Sequence, residues 1–319
     1  MTTLAEAPLS VAAEGGVEGR TPWQLFWRRF KQDRAAFVGL TIIVVMVILG
    51  LCAPLIAQIV GHGPNDIVVP SQTDQFGLPN GPNGTVLLGA DRSGRDVLVR
   101  LAYGARVSLL VGIVATGIAL TIGVLLGIVA GYFGGWADSV ISRFTDIVLA
   151  LPLIIFAIGI VAACSTSPDG CLNGLLQPGL TLVIFIIALF SWPQPARLVR
   201  GATLSLREKE FVEAARSLGA SEWRIMFREI FPNLVAPIIV WGSLLVPSSV
   251  LFEAYLSFLG LGVPGKTPSW GNMLSEATDI FGVAWWFWLF PGIFLMLTVL
   301  AFNLLGDGLR DALDPRTGR

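Results

Sequence analysis

Charged residues are scarce in this 319-residue chain: 13% are Asp, Glu, Lys or Arg, against roughly 25% in an average soluble domain. Histidine is nearly absent, since His62 is the only one, and the three cysteines form no Cys/His cluster with it. The first scarcity argues against a water-soluble protein. The second leaves no candidate metal site, and we interpret His62 as a solvated residue of a Gly-rich loop.

Long apolar runs take the place of the missing charges. Hydrophobic residues make up 54% of the chain, and a bilayer core about 30 Å thick needs roughly 20 apolar residues per helix. The sequence therefore predicts an all-α integral membrane fold with about six transmembrane helices. The predicted spans are 35–60, 109–130, 147–163 with an earlier start near Val140 left open, 175–192 before Pro193 and Pro195, 234–258 interrupted by Pro237 and Pro247, and 284–305.

Basic residues are concentrated on one predicted side of the membrane, and this asymmetry indicates the orientation. Before the first span lie Arg20, Arg28, Arg29, Lys31 and Arg34. Between the fourth and fifth spans lie Arg197, Arg200, Arg207, Lys209, Arg216, Arg224 and Arg228. We therefore expect a multi-pass protein of a bacterial cytoplasmic membrane with both termini in the cytoplasm. Four arginines on the outer side run against the pattern, although Asp91 and Asp96 can pair with them: Arg92, Arg95, Arg100 and Arg106.

The predicted spans and their orientation also divide the rest of the chain into regions. Residues 1–34 are expected to form a cytoplasmic tail and an interfacial helix, because Phe26, Trp27 and Phe30 recur at helical spacing after Trp23, among basic residues. The first turns of the first span explain the same spacing. The first transmembrane helix (35–60) and an outer loop (61–106) precede a core transmembrane domain (107–305), and residues 306–319 form a cytoplasmic tail.

Small residues recur at every fourth position along the second span. They are Ala115, Ala119, Gly123, Gly127 and Gly131. This spacing places all five on one helix face, where a neighbouring backbone can approach closely. We interpret the face as a helix-packing contact.

Two cysteines fall in the outer loop between the third and fourth spans. An oxidising compartment there permits a disulfide between Cys164 and Cys171, and Pro168 and Gly170 favour a closed turn between them. Two free thiols are equally compatible with the sequence. Cys52, in the first span, is interpreted as a buried thiol that behaves as a small hydrophobic residue.

The cytoplasmic loop 197–232 carries the most specific pattern. Two apolar sets recur at i, i+3, i+4 and i+7, which predicts two amphipathic helices. The sets are Phe211, Ala214, Ala215 and Leu218, then Trp223, Met226, Phe227 and Ile230. Gly219 ends the first predicted helix, Ser221 can cap the second, and Pro232 closes it. Such a hairpin can transmit a push from a cytoplasmic partner or lie on the membrane without one.

Several motifs together resemble the permease subunits of binding-protein-dependent ABC importers. Glu213-Ala214-Ala215-x3-Gly219 and Ile230-Phe231-Pro232 resemble their EAA loop, with Glu229 standing where Ile is usual. Other segments resemble the peptide/nickel branch and within it the DppC/OppC-like subunit: Leu88 to Asp91, Gly94 to Asp96, Tyr103 to Leu109, Leu256 to Gly262, Ser269 to Gly271, and Gly306 to Arg316.

The resemblance implies a type I importer permease with a cytoplasmic coupling-helix hairpin. Its ATPase-coupling residues would be Glu213, Ala214, Ala215, Gly219, Ile230 and Pro232. The implied cargo is a di- or oligopeptide, with nickel or another small solute as the alternative. The implied partners are a second, DppB/OppB-like permease, two cytoplasmic ATPases that bind ATP and Mg, an external substrate-binding protein and membrane lipid, and no nucleic acid. In this chain we predict no cofactor, no phosphate-binding loop and no enzyme activity.

An ion-coupled secondary transporter is the main alternative from another class. Such proteins carry ionisable residues near the membrane midplane, and Glu253 is the one carboxylate deep in a predicted span. Arg143 and Asp146 lie near the inner end of the third span, where i, i+3 spacing lets them pair. A membrane anchor that transports nothing would not need the interrupted helices or the hairpin. The substrate-binding residues stay unknown at this level.

Overall fold

The computed structural model describes residues 22–68, 78–166, 170–171, 174, 176–263 and 267–313. In these residues all regular structure is helical, beside two isolated β-bridges that join Ala90 to Asp96 and Cys171 to Leu176. The helices are α1 (Pro22–Gln32), α2 (Arg34–Leu51), α3 (Ala53–Val60), α4 (Val97–Phe133), α5 (Gly135–Ala150), α6 (Leu153–Ser165), α7 (Leu180–Ser191), α8 (Pro193–Leu206), α9 (Glu210–Ser217), α10 (Glu222–Arg224), α11 (Phe231–Phe258), α12 (Trp270–Ala277) and α13 (Trp285–Leu313). Residues 1–21 of the predicted N-terminal tail (1–34), residues 314–319 of the predicted C-terminal tail (306–319), and Pro168 lie outside the described residues.

Five stretches are long and apolar enough to cross a membrane: α2, α4, α7 with α8, α10 with α11, and α13. The pair α5 and α6 makes a sixth if it counts as one bent span. The prediction of an all-α membrane fold with about six spans is confirmed. Its third span is not a straight helix, because α5 and α6 meet at 86°. The bend lies at Leu151, which is extended (ψ 130°) because Pro152 disfavours a helical residue before it.

Proline also changes two other predicted spans. The first is divided at Cys52 into α2 and α3, since Pro54 has no N–H to donate to the carbonyl of Gly50. The fourth does not stop before Pro193 but continues as α8, because a proline in the first turn of a helix lacks only an N–H that would have no intrahelical partner.

Helix α4 begins well before the predicted start of the second span. The Asp96 carboxylate caps it by accepting the backbone N–H groups of Leu98 and Val99. Its 37 residues make a rod about 55 Å long that brings Arg100 and Arg106 out of the predicted outer loop and into a helix. It contacts α2, α3, α5, α7, α8, α11, α12 and α13, and so forms the centre of the bundle.

The small-residue face of α4 is buried along its whole length. Its last three glycines pack on α8 without space for a side chain. A β-carbon on Gly127 would stand 2.7 Å from the carbonyl oxygen of Ala196, and one on Gly131 would stand 2.7 Å from that of Arg200. These distances are shorter than a van der Waals contact, so only glycine permits this helix spacing.

The bundle has two different ends. At the hairpin end, α4 ends at Phe133 and residues 207–230 form a helical hairpin. At the loop end lie residues 78–96, α12 and a disulfide between Cys164 and Cys171. Helix α1 lies at the hairpin end, where Phe26 and Phe30 pack in one cluster with α13. Asp33 caps α2 separately, so α1 is a helix of its own and not the first turns of the first span.

The glycine contact predicts that Gly127→Leu will destabilise the protein. We expect a loss of at least about 1–3 kcal/mol, the usual cost of overpacking a tight contact. The measured quantity is the thermal midpoint of the detergent-solubilised protein, which is monitored by fluorescence-detected size-exclusion chromatography. The matched control is Gly117→Leu on the same helix, where a β-carbon meets no atom within 4 Å. Equal midpoints for the two variants would contradict the prediction.

Candidate functional site

The hairpin turns at a glycine in a left-handed conformation. Helix α9 carries Glu210 and Glu213 in its first turn, where negative charge is favoured by the helix dipole. After its end, Gly219 has φ +76°. The Gly219 N–H donates to the carbonyl of Arg216 at 3.0 Å, and the next N–H donates to the carbonyl of Ala215 at 3.1 Å. These two bonds form a Schellman motif, which requires the positive φ that glycine adopts without strain.

The second helix of the hairpin is the beginning of a spanning helix. Helix α10 leads through a π-helical turn, Ile225–Ile230, directly into α11. Pro232 therefore does not close a short helix, as the sequence predicted, but lies two residues after the π-helical turn, and the helix continues past it. Ser221 occupies the N-cap position, although its side chain makes no capping hydrogen bond. The hairpin and α11 are thus one continuous helical element.

One set of hairpin side chains packs into the bundle. The buried residues, which cluster with Ile128 and Tyr132 of α4, are Val212, Ile225, Met226 and Ile230. Val212 was not among the predicted stripes. It is the only buried residue of α9, and the helical spacing of the apolar residues did not mark it. Ala215 is half-buried, whereas Glu213, Ala214, Gly219 and Pro232 are exposed.

A second set of apolar side chains is left uncovered. Leu218 is 88% exposed and Trp223 is 64% exposed, with Phe211 and Phe227 also exposed. The rings of Trp223 and Phe227 stack with centroids 5.6 Å apart. We call these four residues the exposed ridge. The predicted stripes therefore match the packed face only in part: Met226 and Ile230 of the second stripe are buried, whereas Trp223 and Phe227 are not.

The loop end is held by a cluster of four charged side chains. Arg100 is completely buried and donates to Asp91 and to both carboxylate oxygens of Glu276, at 2.6 and 3.0 Å for the latter. Arg95 donates to the same two acids, each at 2.6 Å. Two positive charges thus meet two negative ones. We call Asp91, Arg95, Arg100 and Glu276 the ion cluster.

The ion cluster accounts for two of the four outer arginines. Asp91 pairs as the sequence suggested, whereas Asp96 caps α4, and burial raises the pKa of the Asp96 carboxyl even though the capping N–H groups act in the opposite direction. Glu276, which comes from α12, was not predicted. No motif or spacing in the sequence links Glu276 to Arg100, which lies 176 residues earlier in the chain. Arg92 pairs with Asp279 at the surface.

Glu253 is satisfied by hydroxyl groups. It is fully buried in α11, and its two oxygens accept hydrogen bonds from Ser108 and Ser257, each at 2.7 Å. Among the described residues its hydrogen-bond partners are serines, and no second ionisable group is one of them. A proton relay needs a series of titratable groups, so this arrangement does not favour one.

Two further expectations from the sequence analysis are wrong. Asp146 does not pair with Arg143 along α5 but with Arg197 of α8. The chain also contains the letters of a phosphate-binding loop, Gly260-x4-Gly265-Lys266-Thr267, contrary to the prediction that none is present. Such a loop follows a strand and opens a helix, whereas this segment follows the helix α11, and 264–266 lie outside the described residues.

Comparison with known proteins gives one consistent relationship. Residues 123–319 match the family described as binding-protein-dependent transport system inner membrane component, and residues 21–76 match the N-terminal TM domain of oligopeptide transport permease C. The chain is 40% identical to the glutathione transport system permease protein GsiD of Pectobacterium atrosepticum, over 93% of this chain and 92% of that protein. It is 41% identical to the dipeptide transport system permease protein DppC of Alkalihalophilus pseudofirmus, over 98% and 96%.

A solved structure shares the fold. An inward-facing form of the MetNI methionine ABC transporter aligns with a TM-score of 0.55 at 18% identity, covering 67% of this chain and 96% of that one. At this identity the likeness speaks for the fold alone.

The ion cluster predicts that Arg100→Gln will strongly destabilise the protein. Removing the cation leaves Asp91 and Glu276 close together with less compensation, and breaking a buried pair costs roughly 3–5 kcal/mol. Thermal midpoints in detergent measure the effect. Arg92→Gln is the control, because its ion pair is exposed and is worth about 1 kcal/mol or less. A midpoint for Arg100→Gln no lower than that of the control would refute the structural role of the cluster.

Proposed function

Because the chain belongs to the family of binding-protein-dependent transport system inner membrane components and is a permease subunit of an ABC importer, we propose that it forms half of a translocation pathway for di- or oligopeptides. A second, homologous permease of the DppB/OppB type forms the other half. Two ATPase subunits bind ATP and Mg in the cytoplasm, and an external binding protein delivers the peptide. The names of the dipeptide and glutathione relatives support a peptide cargo, since glutathione is itself a tripeptide.

The exposed ridge is the observation that carries the proposal. Leu218 and Trp223 lie on either side of the hairpin corner at the end of the bundle, and Glu213 and Ala214 of the same hairpin are also exposed. Uncovered apolar side chains grouped among charged ones are typical of a protein–protein contact. An ATPase subunit is the partner that fits, because it must contact the permease on the side from which energy is supplied.

The charges around the hairpin support a cytoplasmic location. Five basic residues lie in or next to it: Arg207, Lys209, Arg216, Arg224 and Arg228. Positive residues in short loops favour the cytoplasmic side. Both termini are then cytoplasmic as well, since α1 and the end of α13 lie at the same end of the bundle.

Each proposed coupling residue has a physical role in this arrangement. Gly219 forms the corner, and the small Ala214 and half-buried Ala215 allow a partner to approach closely. Glu213 is a polar anchor. Ile230, buried against α4, and Pro232 connect the hairpin to α11. Because the hairpin and α11 are one helical element, closure of the ATPases would displace a spanning helix directly.

Tagged purification of the intact complex tests the proposed contact. We expect a second permease and two ATPase subunits to co-purify with the unaltered chain. Leu218→Glu places a charge in the ridge and should reduce the recovered ATPase by about tenfold or more, as loss of a central apolar contact does. The control is Leu87→Glu, which alters a similarly exposed leucine at the loop end. Recovery of the unaltered chain alone would refute the proposal.

Uptake by the reconstituted complex tests the cargo. Proteoliposomes supplied with ATP and the external binding protein should accumulate L-alanyl-L-alanine or glutathione. Accumulation of nickel alone would refute the peptide assignment and leave the permease assignment in place.

The corner predicts a sharp difference between two substitutions of Gly219. Gly219→Val should reduce peptide uptake severely while membrane insertion is retained, because a β-branched residue at φ +76° is strained by roughly 1–2 kcal/mol. Gly219→Asn should retain most uptake, since asparagine tolerates this conformation. A β-carbon here meets no atom of this chain within 4 Å, so a clash within the chain does not explain the difference. Uptake in cells, normalised to the permease content of the membrane, measures it; equal uptake by both variants contradicts the prediction.

A further inference from the structure

Tyr132 is the residue at which α4 meets both helices of the hairpin. Its side chain lies in the last turn of α4 and is 6% exposed. The hydroxyl donates to the carboxylate of Glu222 in α10. The ring packs in one cluster with Val212 of α9 and Met226 of the π-helical turn. A single side chain therefore touches the hairpin on both sides of its corner.

The backbone of α4 is tied to the hairpin at the same place. Nη1 of Arg207 donates to the carbonyl oxygens of Gly131 and Tyr132, at 3.2 and 3.4 Å. Carbonyls in the last turn of a helix have no intrahelical partner, and Arg207, which follows α8, supplies one. The end of α4 is thus held from α8, α9 and α10.

The opposite end of α4 is held by side chains at the loop end. Arg100 belongs to the ion cluster, and Nε1 of Trp270 in α12 donates to the carbonyl of Leu101 at 3.2 Å. Between these contacts and Tyr132, α4 is an uninterrupted α-helix that contains no proline.

Helix α11, which also begins at the hairpin, is less suited to rigid transmission. It contains Pro237 and Pro247, and proline within a helix removes a hydrogen bond and allows a kink. Helices α7 and α8, which lead into the hairpin, are interrupted by Pro193 and Pro195. Of these connections between the hairpin and the loop end, α4 is therefore the stiffest.

We infer that Tyr132 is a positioning residue that passes displacement of the hairpin to α4, and that α4 carries this displacement to the ion cluster and α12 at the loop end. The inference rests on the proposed function, because it requires ATPases that move the hairpin. It assigns Tyr132 to transmission and not to binding of the ATPase, since its hydroxyl faces Glu222 within this chain. Through the same contacts in the opposite direction, a binding protein at the loop end would stimulate ATP hydrolysis by the ATPases.

The test uses Tyr132→Phe in the whole complex, reconstituted in lipid with the external binding protein loaded with L-alanyl-L-alanine or glutathione. Phenylalanine keeps the ring in its apolar cluster and removes only the hydroxyl. We expect basal ATP hydrolysis to be unchanged, and stimulation by the binding protein to fall roughly three- to tenfold, as loss of one hydrogen bond to a charged group allows. Tyr103→Phe, on the same helix near the loop end, should leave stimulation unchanged.

Variants of Glu222 distinguish transmission from simple stability. Glu222→Gln keeps an oxygen that accepts the tyrosine hydrogen bond and should retain stimulation. Glu222→Ala should lose it, and the double variant with Tyr132→Phe should be no worse than either single one, because both remove the same contact. A fall in thermal midpoint or in recovered ATPase that accounts for the loss would overturn the inference in favour of a structural role.

The outcomes separate the inference from the proposed function. Normal stimulation in Tyr132→Phe, in a complex whose unaltered form couples peptide delivery to ATP hydrolysis, overturns the role of Tyr132 alone. Failure of the unaltered complex to contain ATPases or to respond to any loaded binding protein overturns the proposed function and the inference together.

Discussion

The contact between α4 and α8 is closer than any side chain would permit, because three glycines of α4 face the α8 backbone. Lipid is as apolar as the helix surfaces, so helices in a membrane are held together mainly by close packing and by hydrogen bonds between them. Since α8 leads into α9, this contact determines where the hairpin leaves the bundle. Since the same α4 carries Tyr132 at one end and Arg100 at the other, it also determines what the hairpin and the loop end are attached to.

Polar groups inside this apolar protein serve mainly to join helices. Arg100 is buried but meets two carboxylates, and Glu253 is buried but meets serine hydroxyls. An unsatisfied polar group at either place would be costly, whereas a satisfied one connects helices that are separate in the chain. Glu253 joins α11 to α4 through Ser108, and Arg100 joins α4 to α12. Because Glu253 has this structural role, it gives no support to an ion-coupled transporter. A structural role for Glu253 agrees with the family to which the chain belongs.

The hairpin illustrates why an amphipathic stripe can be interpreted in two ways. Periodicity shows that apolar residues share a face, but it does not show what covers that face. Here Met226 and Ile230 pack on α4, while Leu218 and Trp223 remain outside. A permease that works with separate ATPases needs a packed face and an exposed face on its hairpin. The packed face holds the hairpin to the membrane helices, and the exposed face is free for a partner. Val212, which the stripe omitted, is the residue that α9 buries most completely.

Local chemistry alone was sufficient for several features. Apolar runs of about 20 residues mark the spans, four-residue spacing places the small residues of α4 on one face, and Gly219 marks the corner because few other residues adopt a positive φ. These features depend on neighbouring positions in the chain. Only the tertiary structure decided that Glu276 neutralises Arg100, that Asp146 pairs with Arg197, and that the helix continues past Pro232 into α11. The ion pairs join residues distant in sequence, and the path of the helix at Pro232 depends on the π-helical turn before it and on packing against α4, which composition and spacing do not encode.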